Sequence, residues 1–126
     1  MKVRTGFVSN SSSSSYIIGV AVIDKKDREA IESFLNGTDG MYYELVDGSG
    51  NMVESTAFDY NSVGVKVETG EVAVVFSEYN DVYSDEFGDI IEDEGTYNFN
   101  DFEKFYDTCS RFFKEIKTET GIGYNG

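Results

Sequence analysis

The chain contains no histidine. That absence removes the commonest general base, the usual activator of a serine or cysteine nucleophile and a favoured zinc ligand, so serine–histidine and cysteine–histidine catalysis are excluded. Cys109 is the only cysteine. No internal disulfide can form, and a lone cysteine is the pattern of a reducing compartment. Neither standard glycine-rich phosphate loop is present, so nucleotide binding has no support in the sequence. No apolar run approaches the roughly 20 residues needed to cross a bilayer. The longest, Tyr16 to Ile23, lies behind a serine tract and ends in Asp24-Lys25-Lys26 with no small-residue cleavage site, so it reads as a strand and not as a signal peptide.

Positive charge is missing over one long stretch. Between Lys66 and Lys104 there is no Lys or Arg, yet this stretch holds 12 of the 24 carboxylates, and eight of them fall from Glu78 to Glu94. The net charge is −14. Such a surface repels nucleic acid and anionic membranes, which argues against direct binding to either.

What is present is aromatic and apolar: 10 Phe and 9 Tyr, with 40% hydrophobic residues in 126. This is far above the content of a disordered chain and fits one folded domain with an aromatic core. The expected organisation is a flexible serine-rich arm over 1–15, a single globular domain over 16–121 and a short polar tail over 122–126. The two matches to the glycosylation sequon, at Asn10 and Asn36, carry no weight without a secretory signal.

Tyr16 to Ile23, interrupted by Gly19, suits a buried strand. Asp24 is placed to cap a helix carrying Ala30, Ile31, Phe34 and Leu35, which Asn36-Gly37 would stop. Met41 to Val46 and Met52 to Phe58 flank a glycine-rich turn and predict a hairpin, and Val63 to Val67 with Val72 to Phe76 around Thr69-Gly70 predict a second. From Asn100, with Glu103 as capping-box partner, Phe102, Phe105, Tyr106, Cys109, Phe112, Phe113 and Ile116 recur at helical spacing, predicting a long amphipathic helix ended by Gly121. The fold expected is α+β: an antiparallel sheet of four to five strands packed against two main helices, with a short acidic helix or loop outside.

The acidic segment is the candidate site. On a helix from Ser84, Tyr83, Phe87, Ile90 and Ile91 share one side, while Asp85, Glu86, Asp89, Glu92 and Asp93 fall on an arc of about 120° opposite. Gly88 weakens the helix and leaves a loop open, since a mid-helix glycine costs about 1 kcal/mol. With Glu78, Asp81 and Glu94 these residues form the expected partner-binding set. Helix neighbours lie about 5–6 Å apart at Cβ, of the same order as phosphates along a nucleic-acid strand, so the face could occupy a cationic groove.

Other chemistry has less support. Cys109 lies in an apolar stripe, where a small buried hydrophobe is expected. The run Asp47-Gly48-Ser49-Gly50-Asn51 opens like a calcium loop, but Met52 replaces its turn glycine and Phe58 its closing glutamate, so a turn is the better reading. No metal, cofactor or catalytic residue is assigned.

The opening Gly6-Phe7-Val8-Ser9-Asn10, followed by Ser11 to Ser15 and Tyr16, resembles a leader shared by many small phage and prophage proteins. The resemblance covers about the first 18 residues and implies a phage or mobile-element origin, not an activity. Small acidic phage proteins of similar charge and size include anti-restriction and anti-CRISPR proteins. The resulting expectation is a non-enzymatic inhibitor in the host cytoplasm that binds a basic host protein, such as a nuclease or another nucleic-acid-binding protein. The alternatives are a phage structural or assembly protein and, third, a carboxylate enzyme using magnesium.

Overall fold

A computed structural model of the protein describes residues 12–56, 62–84, 90–92 and 99–125, with side chains over 16–56, 62–79 and 99–121. The elements are β1 (Ser12–Asp24), α1 (Arg28–Leu35), β2 (Met41–Asp47), β3 (Asn51–Thr56), β4 (Ser62–Val67), β5 (Glu71–Ser84), β6 (Ile90–Glu92), α2 (Asn100–Cys109) and β7 (Phe113–Asn125). The class is α+β, as expected. The main antiparallel sheet runs in the order β2-β5-β1-β7, with β6 also paired to β5, and β3 and β4 form a separate two-stranded ribbon.

β1 is one of two inner strands, paired with β5, the other, on one edge and with β7 on the other. Its near-continuous apolar sequence follows from burial on both faces. On one face Ile17, Ala21 and Ile23 join Val72, Val74 and Phe76 of β5, Ile31 and Leu35 of α1, and Phe105 and Cys109 of α2 in the larger core. On the other, Val20, Val22 and Ala73 pack against Val65 and Val67 of the ribbon. The result is three layers, helices on sheet on ribbon. Each large side chain so buried contributes about 1.5–3 kcal/mol.

Gly19 allows the helix-side layer to close. It stands opposite Phe76 in the β1–β5 register, and a Cβ there would lie 2.6 Å from Phe76 Cζ and 2.7 Å from the Lys117 carbonyl oxygen. Phe76 thereby lies flat enough to stack on Phe102 of α2, with ring centroids 5.3 Å apart, and to meet Phe105 edge-on at 5.7 Å.

Several expectations are corrected. Both hairpins fail in the same way. The turns exist, with Gly50 and Gly70 at φ +82° and +90°, but β2 pairs with β5 while β3 pairs with β4. Each tight turn is therefore a crossover between sheets, supported by hydrogen bonds from Gly48 N to Glu71 O and from Gly50 N to Val67 O, both 2.8 Å. The calcium-like run is this crossover, and its Asp47 is engaged by Arg28 at 2.7 Å.

The long final helix ends at Cys109, and a 3-10 turn over Ser110–Phe112 leads into β7. The free edge of β1 captures Phe113 onward, where alternating Ile116, Thr118 and Thr120 fit a strand as well as Phe113 and Ile116 fit a helix. Gly121 consequently lies inside β7, and 122–125 are strand, not tail. Ser12 to Ser15 likewise belong to β1, paired on both sides, so that part of the serine tract is sheet. The rest of the predicted arm, 1–11, lies outside the described residues. Asp24 ends β1 without capping α1, and the N-cap of α2 is Phe99, not Asn100.

Candidate functional site

Glu78 is the exceptional side chain of the core. It extends the row Val72, Val74, Phe76 on the helix-facing side of β5, directly opposite Ile17 of β1 and Met41 of β2, and it is only 5% exposed. The N-terminus of α2 explains how a carboxyl is held there. Phe99 has no side-chain group that could cap the helix, and the backbone N–H groups of Phe102 and Asp101 donate to Glu78 instead. Those are among the donors an α-helix leaves unsatisfied in its first turn, so Glu78 serves as a cap supplied from the sheet.

The cap is incomplete. Glu78 Oε1 is buried and has no hydrogen-bond partner among the described residues. Burial pushes the carboxyl up to about 7, the N–H of Phe102 opposes that rise, and the nearby negative charges of Asp101 and Glu103 add to it. Asp101 has a further role: its Oδ2 accepts the N–H of Gly40, fastening the start of β2 to the first turn of α2.

The cations are arranged differently. Lys114 falls in the gap where the β1–β7 register shifts, between Glu115 opposite Val22 and Phe113 opposite Ile23. That bulge frees its side chain to reach Glu71 Oε2 at 2.7 Å and Asp24 Oδ1 at 3.0 Å. The Lys114 ammonium holds the Glu71 carboxyl below its ordinary value, and the two carboxylates raise Lys114. Arg28 bonds Asp47, Lys66 lies 3.3 Å from Glu68, and Lys117 lies 3.8 Å from Glu115. Four cations are thus each drawn to a carboxylate of the chain itself.

The expected partner-binding set is only partly brought together. Glu78 is removed from it, because a buried helix-capping carboxyl is not a contact surface; the apolar parity of Val72, Val74 and Phe76, carried one step further, was the signal that marked it. The expectation of a helix or loop over 84–94 is corrected at its described residues: Ser84 ends β5, and Ile90 to Glu92 form β6, paired with Tyr83 and Ser84. Glu92 is therefore on a strand and not on a helix. Asp81 is on β5 and Glu92 on β6 opposite Tyr83, so those two are close in the sheet register. Asp85, Glu86, Asp89, Asp93 and Glu94 lie outside the described residues.

Cys109 is buried, and its thiol is pushed up by that burial, which makes it less reactive. Among the described residues no three carboxylates or thiols gather where they could hold a metal ion, and no helix is long and apolar enough to cross a membrane. Two open grooves flank β7: one of about 320 Å³ against Ile17, Phe99, Phe102, Glu103 and Thr120, and one of about 620 Å³ between Ser62–Gly64 and Ile116–Glu119.

The chain matches no protein-family model, and no curated protein or solved structure is significantly similar to it.

Proposed function

We propose that the chain is a small acidic phage-encoded inhibitor that binds a basic, nucleic-acid-handling host protein in the host cytoplasm, without catalysing a reaction. The observation that carries this reading is the cation-free stretch from Val67 to Glu103 with its 12 carboxylates. Arg28 and Lys117 engage Asp47 and Glu115 outside this stretch, while Lys66 and Lys114 engage its first two carboxylates, Glu68 and Glu71. The phage-type leader supplies the biological setting.

The contact set becomes Asp81, Asp85, Glu86, Asp89, Glu92, Asp93 and Glu94, without Glu78 and without a helical array. A basic partner would be attracted over long range and released as salt screens the charges. The experiment is capture from host lysate at low and high salt, with identification of what is retained. Nucleases or other nucleic-acid-binding proteins held at low salt and lost at high salt support the reading, and capture indifferent to salt sinks it.

A second reading, a phage structural or assembly protein, draws on the exposed Tyr42, Met52, Tyr79 and Tyr106. Large exposed apolar side chains are what an assembly interface would use.

A further inference from the structure

Among the described strands β7 is a long edge strand. It runs 13 residues, pairs only with β1 among the described strands, and closes that side of the sheet. The opposite edge is broken into β2 and β6, both on β5. Lys117, Thr118 and Thr120 are exposed, and a groove of about 620 Å³ separates Ile116–Glu119 from Ser62–Gly64 of β4. The Lys117 carbonyl oxygen lies against Gly19 of β1. Successive residues of a strand direct their backbone groups to alternate edges. The N–H and C=O groups of Ile116, Thr118 and Thr120 therefore point away from β1, towards whatever occupies the edge.

A long unpaired edge is a template for another strand, and proteins that avoid such pairing blunt it with proline, bulges or charged side chains, above all lysine; the charges of β7 permit pairing only with a strand that opposes each by its opposite. The bulge in β7 is at Lys114, near its beginning, and leaves Ile116 onward regular. The sequence of this edge is self-complementary. If two copies meet antiparallel about a two-fold axis at Thr118, Lys117 of each stands directly opposite Glu119 of the other, and pairing extends from Phe113 to Gly123. An axis at Ile116 also opposes Glu115 to Lys117 but ends at Glu119. An axis at Lys117 sets lysine against lysine, and one at Thr120 leaves Lys117 facing Gly123. An axis at Glu119 pairs the whole of β7 but sets glutamate against glutamate. Of the two axes that oppose lysine to glutamate, at Ile116 and at Thr118, the one at Thr118 gives the longer pairing, with each charge pair in the directly opposed position where cross-strand charges act.

We infer that the occupant of this edge is a second copy of the chain, joined β7 to β7 so that two four-stranded sheets become one continuous sheet. The interface is isologous, as a closed dimer requires. It is independent of the acidic partner-binding segment, and its response to salt is opposite in sign: two bodies of charge −14 repel, so screening up to about 0.15 M favours the dimer while it weakens capture of a basic partner.

Sedimentation equilibrium of the full chain at low salt and at about 0.15 M tests this, with hydrogen exchange to locate the interface. The expected result is a dimer, stronger at the higher salt, with amide protection at Ile116, Thr118 and Thr120. Lys117→Glu and Glu119→Lys each put two like-charge pairs across the axis and should weaken the dimer on the order of tenfold or more. The double variant Lys117→Glu/Glu119→Lys restores opposite charges and should recover it. Both positions are on the sheet surface, and circular dichroism of each variant confirms an intact fold. A monomer at every concentration, a dimer indifferent to both single changes, or a monomer that binds only strands of unrelated sequence overturns the inference.

Discussion

The backbone N–H of Phe102 donates to the carboxyl of Glu78, so the first turn of α2 is capped by a residue of the sheet it packs on. This joins two tasks that are ordinarily separate. Removing the cap frays the helix, and ionising the cap places charge where Ile17, Met41 and Phe76 are packed. The helix dipole favours the ionised form, but burial outweighs it.

The pH dependence follows in sign. The folded value of Glu78 is about 7, against an ordinary value of 4.5, so folding takes up a proton between those values. Its favourable contribution is complete below the ordinary value and is lost as pH rises through 7, a loss of about 3 kcal/mol. Glu78→Gln removes the charge while keeping an oxygen for the helix N–H groups. Urea unfolding should show the stability of Glu78→Gln relative to wild type increasing by about 3 kcal/mol from about pH 4 to about pH 8. A difference that stays flat across that range would mean that Glu78 is not buried as described.

Gly19→Ala tests the closure of the helix-side layer. The added methyl meets both the Phe76 ring and the Lys117 carbonyl, and overpacking of this kind costs about 1–3 kcal/mol. Combining it with Phe76→Leu should show a coupling energy, because the smaller side chain relieves one clash and leaves the other. Simple additivity of the two changes in denaturant midpoint would count against this contact.

Charge reversal separates the surface carboxylates from the buried one. Changing Asp81, Asp85, Glu86, Asp89, Glu92, Asp93 and Glu94 to lysine should slow association with a captured basic partner on the order of tenfold or more at low salt, with a smaller effect at high salt. Glu78→Gln, the control, should leave the association rate unchanged. Equal losses from the charge-reversed protein and from Glu78→Gln, measured by surface plasmon resonance, would show that the block is not the contact.

The parts of the fold legible in the sequence are those decided by local burial. The run Tyr16 to Ile23 announces an inner strand, and Ile31 with Leu35 announces the buried face of α1. Turn chemistry at Gly50 and Gly70 was also legible. Choice of strand partner was not: β2 finds β5, and β4 finds β3, through contacts distant in sequence, and nothing in a tight turn says whether the strands it joins stay in one sheet. The C-terminal segment shows a different limit. Phe113 and Ile116 have helical spacing while Ile116, Thr118 and Thr120 have strand spacing, and the free edge of β1, a tertiary feature, decides between them. In the candidate site the charge was legible, whereas the conformation of Ile90 to Glu92 depended on pairing with Tyr83 and Ser84. Glu78 needed the parity of β5 to be carried past its last apolar residue.

The place of β1 in the sheet sets an order of events during synthesis. β1, made early, is enclosed on both edges, by β5 and by the late β7. Domains form as units as the chain emerges, and here the unit cannot close until Phe113 to Asn125 has left the ribosome. Until then one whole edge of a strongly apolar strand waits without its partner. A chain cut before Phe113 should therefore lack amide protection along β1, whereas the full chain protects it, and folding should be slow for its size because its defining contacts join the two ends.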